Sequence, residues 1–329
     1  MTVAAISDET PLLSVRRLTK TFSVDGRWRA RKLDVLRDVS FDVYAGEVVA
    51  LVGESGSGKS TTARLIARLL PPSAGEIRFK GDNVLASQPR RPSLAYRAHV
   101  QMIFQDPFSS LNPLHTIRYH LERPLRRHGK VSSKAELTTK VHRLLETVGL
   151  TPAEEFASKH PHQASGGQRQ RVAIARALAV DPELILADEP TSMLDVSIRI
   201  DLLNLMRDLK VARRIGYLFI THDLGSARYF ADRILVMYAG QIVESASSEA
   251  LLDAPAHPYT QLLVAAVPSA DSAITTGPVA TAPASGKPSP SGVGCPFADR
   301  CPSVMDRCRQ ETPAPREVAP DHTASCHLY

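Results

Sequence analysis

No stretch of this chain stays apolar for the roughly 18 to 20 residues that a membrane-spanning helix requires. Its longest apolar runs, such as Val48–Val52 and Tyr217–Ile220, are of strand length. Aromatic residues are scarce, at 5% with a single tryptophan. They are not interleaved with the basic residues, which speaks against a nucleic-acid groove. Cysteine is absent before Cys295, which leaves the body of the chain without disulfides. The first twelve residues, Met1–Leu12, are polar and acidic and do not read as a secretory signal. The expectation is a cytosolic protein, for which any membrane role needs partner subunits.

What is present suits a globular protein. A length of 329 residues buries a full core, with a soft prior of about two domains. The net charge of +6 is modest. Basic residues gather at Arg27, Arg29, Arg31 and Lys32, and again at Arg123, Arg126, Arg127 and Lys130. They read as solvated faces, or as a surface facing anionic headgroups or an acidic partner.

Leu13–Leu18, Val39–Val43 and Glu47–Val52 read as strands, and Lys59–Leu70 as a helix stopped by Pro71-Pro72. Glu76–Phe79 and Val100–Phe104 are strand-like, with a surface loop expected over Gly81–Pro92. From Pro107 to about Leu178 the pattern is helical. Leu137, Val141, Leu144, Leu145 and Val148 mark one apolar face. Leu184–Ala187 and Tyr217–Thr221 are apolar runs of the kind a sheet covered on both faces requires. A helix over Val196–Arg214 joins them. Arg233–Tyr238 and Gln241–Ser245 read as a closing hairpin. The alternation indicates a mostly parallel α/β core. Ser269–Gly294 is rich in Ala, Ser, Pro, Gly and Thr and reads as a flexible linker.

Gly53-Glu54-Ser55-Gly56-Ser57-Gly58-Lys59-Ser60 lies between a strand and a helix, the context that gives this spacing its meaning. Glycines let backbone N–H groups turn inward around phosphate oxygens, and the helix N-terminus adds a favourable dipole. Lys59 is expected to reach the β- and γ-phosphates, Ser60 to ligate Mg²⁺, and Thr61 to help bind the α-phosphate. Asp188 ends an apolar run and so stands at the carboxyl edge of a core strand, where it is expected to bind Mg²⁺. Glu189 is the candidate general base.

A phosphate loop alone fits many enzymes. Ser165-Gly166-Gly167-Gln168-Arg169-Gln170-Arg171 narrows the choice, because it resembles the signature motif of ATP-binding cassette (ABC) ATPases. The resemblance covers roughly residues 12–268 and implies a P-loop ABC core. That core has an N-terminal antiparallel β subdomain and a helical insertion over about 107–178. It also implies roles. Phe22 stacks on adenine. Gln105 senses the γ-phosphate and Mg²⁺. Ser165, Gly166, Gly167 and Gln168 bind the γ-phosphate held by the opposite subunit. Asp195 belongs to the D-loop, and His222 is the switch histidine. Ser165-Gly166-Gly167 precedes a helix and offers an anion a second N-terminal dipole. Two residues depart from the family pattern, Ala164 at the start of the signature and Met193 in the D-loop.

Val100–Pro113, His257–Leu263 and Cys295–Pro302 are similar to the oligopeptide/dipeptide importer branch, with a closer likeness to its F-type subunit. That branch imports peptides and, in some members, nickel or other small solutes. It pairs two different ATPase chains (a heterodimer, with a homodimer as the alternative) with two integral membrane permeases and an extracytoplasmic solute-binding protein. The resemblance therefore implies a peripheral subunit on the cytoplasmic face of the membrane, acting with ATP and Mg²⁺ on no nucleic acid. The alternative is a soluble ABC ATPase acting on DNA or ribosomes. Such proteins usually carry two cassettes or long coiled coils, whereas this chain has one cassette and no sustained heptad repeat.

The cysteines follow the spacing Cys295-x5-Cys301-x6-Cys308-x17-Cys326, within a terminal module over 295–329. Four cysteines in a small cytosolic segment argue for metal, because a metal supplies folding energy where the core is small. Thiolate ligation fits zinc or a four-iron cluster. The likeness to the importer branch implies the 4Fe-4S cluster.

Overall fold

The computed structural model describes residues 10–24, 31–266 and 293–329. Arg27, Arg29 and almost all of the expected linker lie outside the described residues. Twelve strands are described, in two sheets. The first holds β1 (Leu13–Val24), β2 (Arg31–Val43), β4 (Ala74–Phe79) and β5 (Asp82–Asn83), in the order β2-β1-β4-β5 and antiparallel throughout.

The second sheet contains β3 (Val48–Val52), β6 (Val100–Ile103), β7 (Leu184–Asp188), β8 (Gly216–Thr221), β9 (Arg233–Tyr238), β10 (Gln241–Ser247), β11 (Arg316–Ala319) and β12 (His322–Ala324). Its order is β11-β12-β10-β9-β3-β8-β7-β6. The five strands from β9 to β6 are parallel, and β10, β12 and β11 add an antiparallel edge.

Every residue of β3, β7 and β8 is buried, as their unbroken apolar runs require. Alternate side chains divide between two cores because the strand period is two. Val48, Ala50, Val52, Tyr217 and Phe219 face the core shared with the helices Ile117–Arg127, Lys134–Thr147, Gly166–Leu178 and Val196–Arg213. Val49, Leu51, Leu218 and Ile220 face the helix Lys59–Ile66 and the antiparallel sheet.

Two local expectations are corrected. The first helix ends at Ile66 instead of Leu70. Arg68 takes a left-handed φ of 56°, and its guanidinium donates to the carbonyls of Val84 (2.6 Å) and Gln88 (2.5 Å). The stretch over 81–92 is not wholly loop. Asn83 caps a helical turn, Val84–Ser87, by accepting from the N–H groups of Leu85 and Ala86.

The terminal segment joins the sheet. β12 pairs with β10, with Glu244 opposite Ala324. Glu244 is 1% exposed. It accepts from the backbone N–H groups of Ala256 and His257, both at 2.8 Å, and lies 2.7 Å from His322 Nε2. One buried carboxylate thus ties three segments together, and such a group needs this full set of partners. Phe297 is fully buried against Tyr238, Tyr259 and His257. Phe297→Ala is expected to destabilise the protein by about 3–5 kcal/mol. An unchanged urea midpoint would show that the segment adds nothing to the core.

His257 caps the helix Pro258–Ala265, its Nδ1 accepting from the Tyr259 N–H at 3.0 Å. Burial pushes its imidazole down to about 4. The unfolded chain therefore holds the proton more tightly, and acid favours unfolding. Stability is expected to fall as pH drops from about 6.5 towards 4. His257→Asn keeps a cap acceptor, so its pH–stability curve should be flatter across that window. An equal slope would exclude His257 as the titrating group.

Candidate active site

Parallel register brings the chemistry to one edge. Val52 lies beside Thr221, Asp188 beside Ile220, and Ile103 beside Ala187. The glycine loop after β3, Asp188-Glu189 at the end of β7, His222 after β8 and Gln105 after β6 therefore emerge together. Ligands of open α/β sheets bind at this carboxyl edge.

The loop has the backbone its glycines allow. At Gly53, φ is 152° and a Cβ would stand 2.1 Å from the Met237 carbonyl oxygen. At Gly58, φ is 108° and a Cβ would meet Leu36 at 2.6 Å. Gly58 caps the helix Lys59–Ile66, so Ser60 and Thr61 stand in its first turn. Ser55 and Gly56 are exposed at the loop's tip. Ser57 is buried, and its hydroxyl has no partner among the described residues. Lys59 is 5% exposed and donates to the carbonyls of Gly53 (2.7 Å) and Glu54 (2.9 Å). Burial holds its ammonium below the ordinary lysine range, although Glu189, Asp188 and Glu54 oppose that shift.

Ser60 Oγ donates to Asp188 Oδ1 at 2.7 Å. Burial raises the Asp188 carboxyl, and the Ser60 bond counters it. A hydroxyl beside a carboxylate is a hard-oxygen pair that suits Mg²⁺. The loop, with the N-terminus of the helix that follows it and the spare Ser57 hydroxyl, suits a chain of phosphates. Glu189 holds a φ of 45°. Its Oε2 accepts from Gln105 Nε2 at 2.9 Å and stands 3.3 Å from His222 Nδ1. Three residues separated by long stretches of chain thus meet around one carboxylate.

Other expected residues stand apart from that cluster. Phe22 is half-buried on β1, with the Lys20 ammonium 4.8 Å from its ring centre. Ser165 caps the helix Gly166–Leu178 and exchanges hydrogen bonds with Gln168, a capping box. A Cβ on Gly166 would lie 3.8 Å from Leu194, and one on Gly167 2.7 Å from Ile198. The start of this helix is therefore packed against Leu194 and against Ile198 of the helix Val196–Arg213. Asp195 begins the helix Val196–Arg213 without capping it by its side chain. Of the two departures from the family pattern, Ala164 is buried and Met193 is 58% exposed.

The four thiols lie within electrostatic reach of one another in every pairing. Burial pushes Cys295 up to about 11 and raises Cys301 and Cys326. Among the described residues, no three His, Cys, Asp or Glu side chains form a group placed to hold a metal ion. The cluster expected at Cys295, Cys301, Cys308 and Cys326 thus finds donor chemistry but no ligating arrangement.

The family model described as "ABC transporter" matches residues 36–192. The model described as "Oligopeptide/dipeptide transporter, C-terminal region" matches residues 243–308. A putative peptide import ATP-binding protein of Brucella ovis is 45% identical over 318 residues, covering 97% of this chain and 98% of its own. This chain belongs to the ABC transporter ATP-binding proteins. The oligopeptide transport ATP-binding protein AppF of Bacillus subtilis is 41% identical over 332 residues, covering 99% of this chain and all of its own. Among solved structures, the ATP-binding cassette MJ0796, a dimer in a post-hydrolysis state bound to ADP and Pi, matches with a TM-score of 0.63. That match has 31% identity and covers 72% of this chain and 98% of the other.

This ABC ATPase has two site neighbours that motif reading missed. Tyr259 Oη accepts from the Glu54 N–H at 2.9 Å, and Arg300 grips the Glu54 carboxylate. Both lie in stretches that carried the family likeness, but nothing in their spacing points to the loop. Gly53→Ala is expected to weaken ATP binding by about 5- to 150-fold, the equivalent of a strain of order 1–3 kcal/mol. Unchanged affinity by calorimetry would contradict this geometry.

Proposed function

We propose that this chain is the ATP-hydrolysing subunit of an importer of oligopeptides or dipeptides, working on the cytoplasmic face of the membrane. The observation that carries the reading is the convergence of Gln105 and His222 on Glu189 beside the Ser60–Asp188 pair. The relatives' names supply the solute class.

The glycine loop and Lys59 bind the phosphates of ATP, Thr61 assists at the α-phosphate, and Phe22 stacks on adenine. Ser60, Gln105 and Asp188 would hold Mg²⁺, which neutralises charge on the phosphate oxygens. Glu189 accepts a proton from the water that attacks the γ-phosphorus, the bond to the bridging oxygen breaks, and ADP leaves. His222 contacts the γ-phosphate and orients Glu189. Ser165, Gly166, Gly167 and Gln168 complete the site of a second ATPase chain, with Asp195 between the two sites. The dimeric state of MJ0796 supports this composite arrangement.

Two permeases and a solute-binding protein complete the complex. Support for the permease contact is a groove of about 760 Å³ between β6 and the helical insertion, lined by Gln101, His115, Tyr119, Arg123, Arg127 and Arg176. No carboxylate lines it among the described residues, so an acidic permease loop suits it. Lys130, from the same basic cluster, instead pairs with Asp181 at 3.0 Å. No helix among the described residues is long and apolar enough to cross a membrane. The comparisons give the DNA or ribosome alternative no support.

Glu189→Gln is expected to cut hydrolysis by about 10²–10⁴-fold while ATP still binds, and to abolish uptake of labelled peptide in cells. Near wild-type hydrolysis would contradict the role of Glu189. Lost hydrolysis with intact peptide uptake would contradict the importer reading. For the four cysteines the proposal is an iron–sulfur cluster with a structural or redox-sensing role, supported by their thiolate chemistry and by the likeness of Cys295–Pro302 to the importer branch, not by a ligating geometry. Anaerobic protein should carry iron and sulfide in equal amounts. Stoichiometric zinc alone, or no metal, would contradict it.

A further inference from the structure

The phosphate loop is held from outside by the terminal cysteine segment. Arg300 closes a short turn, Ala298–Arg300, between Cys295 and Cys301. Its two terminal nitrogens donate to both Glu54 oxygens, at 2.9 and 2.8 Å, across 246 residues of chain. The guanidinium lies 5.7 Å from the Tyr238 ring centre and 5.6 Å from that of Phe297. Those rings belong to the same buried cluster as Tyr259, whose hydroxyl accepts from the Glu54 N–H. The Glu54 carbonyl in turn accepts from Lys59. Glu54 is therefore anchored at its side chain, its N–H and its carbonyl.

Electrostatics give this contact a consequence for the ligand. Between Gly53 and Ser60 the only charged side chains are Glu54 and Lys59, which cancel. A loop that binds several phosphate charges gains little from a neutral sum, and a loose carboxylate there repels the ligand. Arg300 neutralises Glu54 in a bidentate fork, the geometry in which arginine surpasses lysine. Its side chain is 21% exposed and that of Glu54 44%, so solvent screens the pair in part.

We propose that Arg300 is a positioning residue for nucleotide binding. It neutralises and fixes Glu54, and through it the terminal cysteine segment sets the affinity of the phosphate loop for ATP. The proposal rests on the reading of this loop as the ATP site, and the experiment separates the two. ATP binding by calorimetry, with kcat and KM, is measured on full-length wild type, Arg300→Ala, Glu54→Gln and the double variant.

Arg300→Ala is expected to raise Kd and KM for ATP about fivefold, the upper scale of one partly exposed ion pair, with kcat nearly unchanged. In the Glu54→Gln background the same replacement should change affinity little, because no carboxylate is left to neutralise. Arg300→Lys should recover part of the loss. Unaltered affinity in Arg300→Ala would overturn the proposal. So would an equal loss in both backgrounds, the mark of a residue that only holds the segment together. Absence of ATP binding by the wild type would instead overturn the reading of the loop itself.

Discussion

The in-register parallel pairing of β3, β8, β7 and β6 is the constraint on which the site depends. Gln105, Asp188, Glu189 and His222 are scattered along the chain, and no local turn could assemble them. Parallel strands place their carboxyl ends on one edge, so a residue just past each end has the others as neighbours. The register is held by burial on both faces. A slip of one residue would send each side chain of β3, β7 and β8 into the opposite core. The same packing that stabilises the sheet therefore fixes the distances of 2.7–3.3 Å within the Ser60–Asp188 pair and around Glu189.

The second organising feature is the edge of that sheet. An unpaired β10 would present open N–H and C=O groups, and β12 covers it. Glu244 and Phe297 fasten the covering segment from below. Arg300 then extends that segment's reach to the phosphate loop. A module set apart in sequence by a long polar stretch thus becomes part of the wall behind the nucleotide site.

Much of this was legible from the residues. The phosphate loop, Asp188-Glu189 and the signature are contiguous strings whose spacing carries their chemistry, and apolar runs marked the buried strands. What escaped was tertiary in origin. Past the early end of the first helix, Arg68 takes a left-handed backbone and its guanidinium bonds carbonyls of a later turn. Arg300 and Tyr259 meet Glu54 across long stretches of chain, and neither is adjacent to any phosphate motif. The cysteines were read by count and spacing, which identify donors but do not place them. Glu244 could not be singled out, since an acidic residue in an alternating strand usually faces solvent.

The reading that unites these features is an ATPase that drives partner permeases. The most direct test is gentle detergent purification of the tagged chain from native membranes, with mass spectrometry of what accompanies it. Two multi-span permeases and a second ATPase chain are the expected companions, with the basic groove between β6 and the helical insertion at their contact. Recovery of soluble nucleic-acid or ribosomal proteins alone, with the chain absent from the membrane fraction, would contradict the account.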